Sequence, residues 1–581
     1  MNNISAVILT AGESSRFYPF NDSHKSMVKV LGRPILEHTI NGLKKEGIKK
    51  IILVIGKNEA IRDYFGDGKK FGISIDYVVQ TKPLGMGNAL LLAEKKIKGD
   101  FLLLSAHRID AHKFVNSLLR NKLTFRAKAV LLVKQKENTQ IHGVLKYEKN
   151  RVIAVIEKPK KGDEPSNLCV VGLYFFPYEF ITTLKNTPSE HYQLEKAISA
   201  YAKENFVSFV ETKDELVTLR YPWNLLEIKD SLIKDMKRFI DPKAKIAKTA
   251  EIIGEVVIEE GATIMEGVRI KGACYIGRNA VIGNNALLRN QVDVEENCVI
   301  GAYMEVKNSL IFRGATTHSG FIGDSIVGEN CRIAAQFCTG NVRLDRKEVE
   351  AVVKGEKLDT GKTHLGAMIG KNTNIGIKSS TMPGVIIGKN AVIGPSTVVM
   401  KNIPDNTKYY TKFKEYISKK MNKKPVVLFD IDYTLFDTAL FKKSYLTKHK
   451  IYEEVRDVLE ELSKNAVLGI FSEGDLEFQR KKLNQTEIVG YFEKDNTHIV
   501  LNKLTEVRKV LQKYVDRKIF FVDDKLSILF DAKKIFPKVF TIWVKRGWYA
   551  ENQKDIPTFE PDAAVENLSE VVKIVQKGVS S

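Results

Sequence analysis

The chain is 581 residues long, too long for one core, so about three or four domains are expected. Its 44% hydrophobic content is ordinary for a globular protein, and no apolar run reaches the roughly 18 residues of a membrane span. The formal net charge of +21 would suit nucleic acid, an anionic membrane or phosphorylated substrates, but no nucleic-acid-binding motif and no basic stripe interleaved with aromatics accompanies it. A lysine-rich solvated surface is the first reading of that charge and phosphate-bearing substrates the second; no nucleic-acid or membrane partner is expected. The start "MNNISAVILTAG" has neither the basic lead nor the cleavage site of a signal peptide. Cys169, Cys274, Cys298, Cys331 and Cys338 are scattered without metal spacing, which fits a reducing cytoplasm.

Residues 1–235 alternate short β-rich runs with helical patterns, as in "SAVILTAG", "PILEHTINGLKKEG" and "KKIILVIG". Such alternation predicts an α/β domain with a parallel sheet and crossover helices. "VILTAGESSRF" is a strand followed by a small-residue loop, Ala11 and Gly12, and then Arg16; backbone N–H groups in such loops can approach phosphates. Lys25 follows in "HKSMVKVLGRPILEH", Gln80 and Gly85 in "VVQTKPLGMGNALLLAE", and Glu157 and Lys158 in "VIEKP". In "FLLLSAHRID" the apolar run Phe101–Leu104 ends just before His107, at the strand end where open α/β sheets place ligands.

These motifs resemble the sugar-1-phosphate nucleotidyltransferases. The resemblance implies nucleotide binding by Ala11, Gly12, Arg16, Lys25, Gln80 and Gly85, and sugar-phosphate binding by Glu157 and Lys158. It also marks departures. Ser14 stands where the family loop usually has glycine. His107 and Thr218 stand where its two Mg²⁺-binding aspartates are expected, and Asp110 lies three residues beyond His107. Metal ions neutralise the triphosphate in such transfers, so a lost or rewired metal site is expected.

From 240 the texture changes. Ile240, Ile246, Ile252, Ile258, Ile264, Ile270, Ile276, Ile282, Leu288, Val294, Ile300, Val306 and Phe312 recur every six residues, all apolar. A six-residue period marks hexapeptide β-helix repeats, three per coil, each burying one apolar residue per side of a triangular prism. The phase breaks near 313–320, resumes, is interrupted by a charged insertion at 343–362, and returns until about 405. "THSGFIGDSIVGENCRIAAQFCTGNVRLD" resembles the acetyltransferase half of the bifunctional nucleotidyltransferase/N-acetyltransferases. The resemblance implies a left-handed β-helix, a homotrimer, His318 as general base, Asn341 at the site and Lys362 near acetyl-coenzyme A. Phe321 replaces a usual tyrosine.

Residues 406–424 read as a lysine-rich linker or short helix. "VVLFDIDYTLFD" then opens a second α/β alternation, 425–581, with Asp430 and Asp432 just past a strand. Asp430 can attack phosphorus and Asp432 can exchange a proton. Ser472 ends the next strand, Lys503 follows, and Asp523 and Asp524 end another. The set resembles the haloacid-dehalogenase-like phosphatases, with a Rossmann-like fold. The resemblance implies catalysis by Asp430, Asp432, Ser472 and Lys503, and Mg²⁺ on Asp430, Asp432, Asp523 and Asp524.

The expectation for the whole chain is a phosphoric monoester hydrolase acting on small phosphorylated sugars through an aspartyl-phosphate, behind a nucleotidyltransferase-like domain with replaced metal aspartates. Two alternatives stand beside it. One is an active sugar-1-phosphate nucleotidyltransferase, with or without acetyl transfer, using a nucleoside triphosphate and acetyl-coenzyme A. The other makes the front two domains a trimeric ligand-binding scaffold.

Overall fold

The computed structural model describes residues 4–12, 14–416 and 423–580. Two compact units make up the chain, 1–413 and 414–581. The nucleotidyltransferase-like part and the β-helix therefore pack as one unit rather than as separate bodies. The expected linker lies partly at 417–422, outside the described residues.

In the first unit, β1 (Ser5–Thr10), β2 (Lys50–Ile55), β3 (Ser74–Val79), β4 (Phe101–Ser105), β5 (Ala129–Gln135), β6 (Gly143–Glu148), β7 (Arg151–Glu157), β8 (Leu168–Phe176) and β9 (Val207–Glu211) form one sheet. Its order is β9-β5-β8-β4-β1-β2-β3, with the β6–β7 hairpin attached to β8. β1 runs parallel between β2 and β4, Val7 facing both Ile52 and Leu103. β8 is antiparallel to β4, Leu173 opposite Leu104. Helices cover both faces, so the central strands are apolar throughout: Phe175 and Phe176 are neighbours in sequence but enter cores on opposite faces. β1 and β4 end side by side at Thr10 and Ser105, which opens a cleft at their carboxyl ends.

The repeats fold into three parallel ladders of short strands. From Phe239 through Arg289 each strand pairs with one eighteen residues on, as Ile240 with Ile258 and Ile264 with Ile282. Asparagines such as Asn372 and Asn390 take positive φ at the corners and stack, the Asn372 amide donating to Asn390 at 3.1 Å. The strict period fails one step earlier than its apolar pattern. Asp293 pairs with Leu310, seventeen residues on, and Leu310 with Ile326, sixteen on. Ile311 therefore fills the prism core, and Phe312 turns outward against Phe20, ring centroids 5.4 Å apart. The insertion carries a hairpin, Glu350–Val353 with Glu356–Asp359. The solenoid also passes the expected end at 405, because Lys408–Tyr409 still pairs with Val392–Ile393.

The hairpin Lys29–Val30/Arg33–Pro34 seats the sheet domain on the β-helix. Leu31 and Gly32 donate their N–H groups to Asp293 and Glu295 at 2.8 and 2.9 Å. Lys229, fully buried on α3 (Asn224–Lys234) after α1 (Ile35–Lys45) and α2 (Met86–Ala93), donates to the Gln291 carbonyl and to Asn308 at 2.5 and 2.9 Å.

The second unit holds a six-stranded parallel sheet: β10 (Val426–Phe429), β11 (Val467–Glu473), β12 (Thr497–Val500), β13 (Ile519–Asp523), β14 (Phe540–Val544) and β15 (Ala563–Val565). The order is β12-β11-β10-β13-β14-β15. β10 sits centrally, Val427 facing Leu468 and Phe520, which brings the ends of β10, β11 and β13 together. Among the described residues no helix is long and apolar enough to cross a membrane, and all five cysteines are free thiols.

Candidate functional site

A cavity of about 430 Å³ opens beyond β1 and β4. Ala11, Gly12, Lys25, Gln80, Gly85 and His107 line it, together with His24, Ser105 and His191. Ser14 does not simply crowd the loop: its hydroxyl accepts the Lys25 backbone N–H at 3.1 Å and so sets the start of the next turn. The Lys25 amine donates to the Leu219 carbonyl at 2.6 Å, tying the cavity to the segment that carries Thr218. Gln80 donates to Asn88 and to the Gly85 carbonyl at 2.9 and 3.2 Å. Gly85 has φ +97°, and a Cβ there would lie 2.7 Å from the His191 carbonyl oxygen, so this close approach requires glycine. Arg16 and Thr218 are exposed. Glu157 and Lys158 fall outside the cavity lining; Lys158 donates to the Tyr192 hydroxyl at 2.9 Å, next to His191.

The electrostatics are those of an anion site. Burial, with Arg16 and Arg220 close by, lowers Lys25 to about 8. Burial and Lys25 lower His24 to about 4. Burial, then Lys25, Arg108 and His24, hold His107 well below the ordinary imidazole value. Among the described residues that line the cavity none is a carboxylate. Asp110 is buried outside that lining, paired with Arg108 at 3.1 Å. His24, His191 and Arg220 escaped the sequence reading. The signals were the pairs His24-Lys25 in "HKSM" and Arg220-Tyr221 beside Thr218.

On the β-helix, His318 lies in a groove of about 500 Å³ with Thr316, Thr317, Arg332, Ala334 and Asn374. The other two expected residues are elsewhere. Asn341 follows a strand of the third ladder and donates to Asp324 at 2.5 Å, on the opposite edge of that ladder from His318. Lys362, in the insertion, pairs with Glu227 of α3 at 2.8 Å. One chain does not bring the three together.

In the second unit a cleft of about 340 Å³ is lined by Asp430, Asp432, Tyr433, Gln479, Lys482 and Asp524 among others. Beneath it the buried Lys503 amine bridges Asp430 and Asp523, 2.5 Å from each. Burial lowers the Lys503 value, but the two carboxylates outweigh it and hold the amine charged. Burial raises Asp430 to about 6 against that pairing. Burial also raises Asp524, beside Asp523 and Asp430, to about 9, and among the described residues neither of its carboxyl oxygens has a hydrogen-bond partner. The Ser472 hydroxyl is buried without a partner among the described residues. Asp432 accepts from Thr438, Gln479 and Lys482 at 2.6, 2.7 and 2.6 Å. Burial pushes it up, but Lys482 with these donors holds it below the usual carboxylate range. An amine already fills the place between Asp430 and Asp523. Among the described residues no group of three or more His, Cys, Asp or Glu is placed to hold a metal ion. Gln479 and Lys482, on α4 (Leu476–Gln485), were not singled out from sequence.

Comparison with known proteins assigns the chain. A nucleotidyl transferase family model matches residues 5–223, a GMPPB C-terminal domain model 270–363, and a six-repeat bacterial transferase hexapeptide model 366–401. A bifunctional protein GlmU of Methanococcus maripaludis is 34% identical over 427 residues, 72% of this chain and 100% of that protein. Its counterpart in Methanocaldococcus jannaschii is 32% identical over the same shares. A bifunctional sugar-1-phosphate nucleotidylyltransferase/acetyltransferase of Sulfurisphaera tokodaii is 32% identical, covering 69% of this chain and 98% of its own. These relatives are transferases matched over nearly their whole length. That overturns the expectation of a phosphoric monoester hydrolase as the protein's principal activity. The chain belongs to the family of bifunctional GlmU-type sugar-1-phosphate nucleotidylyltransferase/acetyltransferases.

Proposed function

We propose that the protein is a bifunctional transferase, moving a nucleotidyl group onto a sugar 1-phosphate beyond β1 and β4 and an acyl group on the β-helix. The observation that carries the first activity is the cavity in which Gly12, Lys25, Gln80 and Gly85 converge at adjacent strand ends. In the transfer, a phosphate oxygen of the sugar 1-phosphate attacks the α-phosphorus of a nucleoside triphosphate. The bond to the bridging oxygen breaks, and pyrophosphate leaves with that electron pair. Lys25 and Arg16 meet the negative charge, the Gly12 loop offers backbone N–H groups, and Gln80 stands at the base end. Glu157 and Lys158, the latter hydrogen-bonded to Tyr192 next to the cavity's His191, are assigned to the sugar phosphate. Mg²⁺ is a hard cation that takes oxygen ligands, and the described residues lining this cavity supply no carboxylate, so they do not fit it. Neutralising the phosphates falls to the protein's own cations.

For the second activity, His318 would take the proton of an acceptor amine in its groove, and acetyl-coenzyme A would supply the acyl group. Asn341 and Lys362 would join the site from another copy or after parting from Asp324 and Glu227. A homotrimer through the β-helix faces belongs to this reading, supported by exposed apolar side chains along the solenoid: Tyr303 is 72% exposed, Ile377 51% and Val398 47%. A cytoplasmic setting agrees with five free thiols.

The test is to incubate the full chain with sugar 1-phosphates and each nucleoside triphosphate, then with amino-sugar phosphates and acetyl-coenzyme A. Pyrophosphate and free thiol are the two products expected. Absence of both would remove this reading.

A further inference from the structure

A pocket for a polyanion can neutralise it in two ways. It can hold carboxylates that bring a divalent cation, or it can present cations directly. The cavity beyond β1 and β4 is built the second way. Its described lining has nitrogen bases in place of acids: Lys25, His24, His107 and His191. Arg16 and Arg220 lie close enough to depress the Lys25 amine. Two described acids lie close by: Asp110 is buried outside the lining beside Arg108, and Asp22, in an adjoining pocket that shares Ala11, Gly12 and His24, is paired with Lys371 and Lys389.

The β-helix adds a further charge from outside the sheet domain. Its inserted hairpin turns at Lys354, whose amine donates to the Ser15 hydroxyl at 2.9 Å, in the small-residue loop after β1. That contact bridges 339 residues of sequence. Lys354 is exposed and has no acidic partner among its described contacts, so it can turn from Ser15 to a phosphate at little cost.

Resting on the proposed nucleotidyltransferase function, we propose that the cavity binds the triphosphate of a nucleotide without a divalent cation, its charge met by Lys25, Arg16 and Arg220 and by Lys354 reaching in from the β-helix insertion. The imidazoles of His24 and His107 form the wall where a metal would otherwise sit. Mg²⁺ on the nucleotide then competes with the protein for the same phosphate oxygens. Binding is as tight or tighter when the metal is removed, and it weakens with salt because the contacts are direct ion pairs. The hairpin makes the β-helix part of the nucleotide site.

Calorimetric titration of the full chain with UTP, ATP and tripolyphosphate, in chelator and in millimolar Mg²⁺, tests this. The expected result is an equal or lower Kd in chelator. Lys354→Met should raise that Kd by about 3- to 10-fold, and Lys25→Met by more. The Lys354 change touches only an exposed turn, so its reading does not depend on a buried substitution being tolerated. Binding that needs Mg²⁺, or is about tenfold tighter with it, would overturn the metal-free site while leaving the transferase reading intact. An unchanged Kd in Lys354→Met would remove the contribution from the β-helix. No binding of any of the three probes in either buffer would overturn both the inference and the function on which it rests.

Discussion

Leu31 donates its backbone N–H to the buried carboxylate of Asp293 at 2.8 Å, and through this contact a turn of the sheet domain is seated on the β-helix. Beside it, Gly32 donates to Glu295 at 2.9 Å. Burial, with Glu296 and Glu259 nearby, raises Glu295 from 4.5 to about 7, and burial with Glu295 beside it raises Asp293 well above its ordinary value. A carboxyl raised in the folded state stabilises fully below its unfolded value and loses that contribution as pH rises through the folded value. The joint should therefore weaken between pH 4.5 and 7, by on the order of a few kcal/mol. Thermal unfolding of wild type and the Asp293→Asn/Glu295→Gln variant across that range checks it. The difference between them should grow in favour of the variant as pH rises; parallel curves would contradict it.

Lys25 is held by the Leu219 carbonyl at the cavity wall. Lys25→Met should lower kcat/KM for pyrophosphate formation by about 10²- to 10³-fold. Its effect on acetyl transfer should be small, because His318 lies in a separate groove. Steady-state assays of both activities in one preparation distinguish a local loss from a general unfolding.

His318→Ala should remove about 10²- to 10⁴-fold of acyl transfer and leave pyrophosphate formation unchanged. Thiol release from acetyl-coenzyme A in the presence of amino-sugar phosphates is the measurement. Equal activity of the variant would exclude His318 as the base.

In the second unit, Lys503→Met would leave Asp430 and Asp523 without their shared cation in a fully buried place. Removing one partner of a buried ion pair costs about 3–5 kcal/mol. Hydrogen exchange of the full chain should show β10 and β13 opening faster, with the β-helix amides unchanged. Unchanged protection of β10 would show that the amine contributes little there.

The six-residue spacing from Ile240 made the solenoid legible, because each coil buries one side chain per face. The shortening after Val294 was not, since Phe312 keeps an apolar residue in phase while Ile311 takes the core. The cavity residues next to strand ends, Gly12, Lys25, Gln80 and His107, could be read from local motifs. His24 and Lys482 could not: a histidine or lysine in a charged stretch looks like a solvated side chain until folding sets it against Ser26 or Asp432. The Leu31–Asp293 and Lys354–Ser15 contacts join segments hundreds of residues apart, and no local pattern announces them. In the second unit Asp430, Ser472 and Asp523 stand at three neighbouring strand ends that their apolar runs announce, but the pairings among them, Lys503 with two aspartates and Lys482 with Asp432, arise only from packing.

The most direct test of the central claim is phosphorus NMR of the full chain incubated with a nucleoside triphosphate and a panel of sugar 1-phosphates. The resonances of inorganic pyrophosphate and of a sugar nucleotide should grow together in equal amounts, and about 10²- to 10³-fold more slowly in Lys25→Met. Triphosphate and sugar phosphate that remain unchanged across the panel, with and without Mg²⁺, would contradict it.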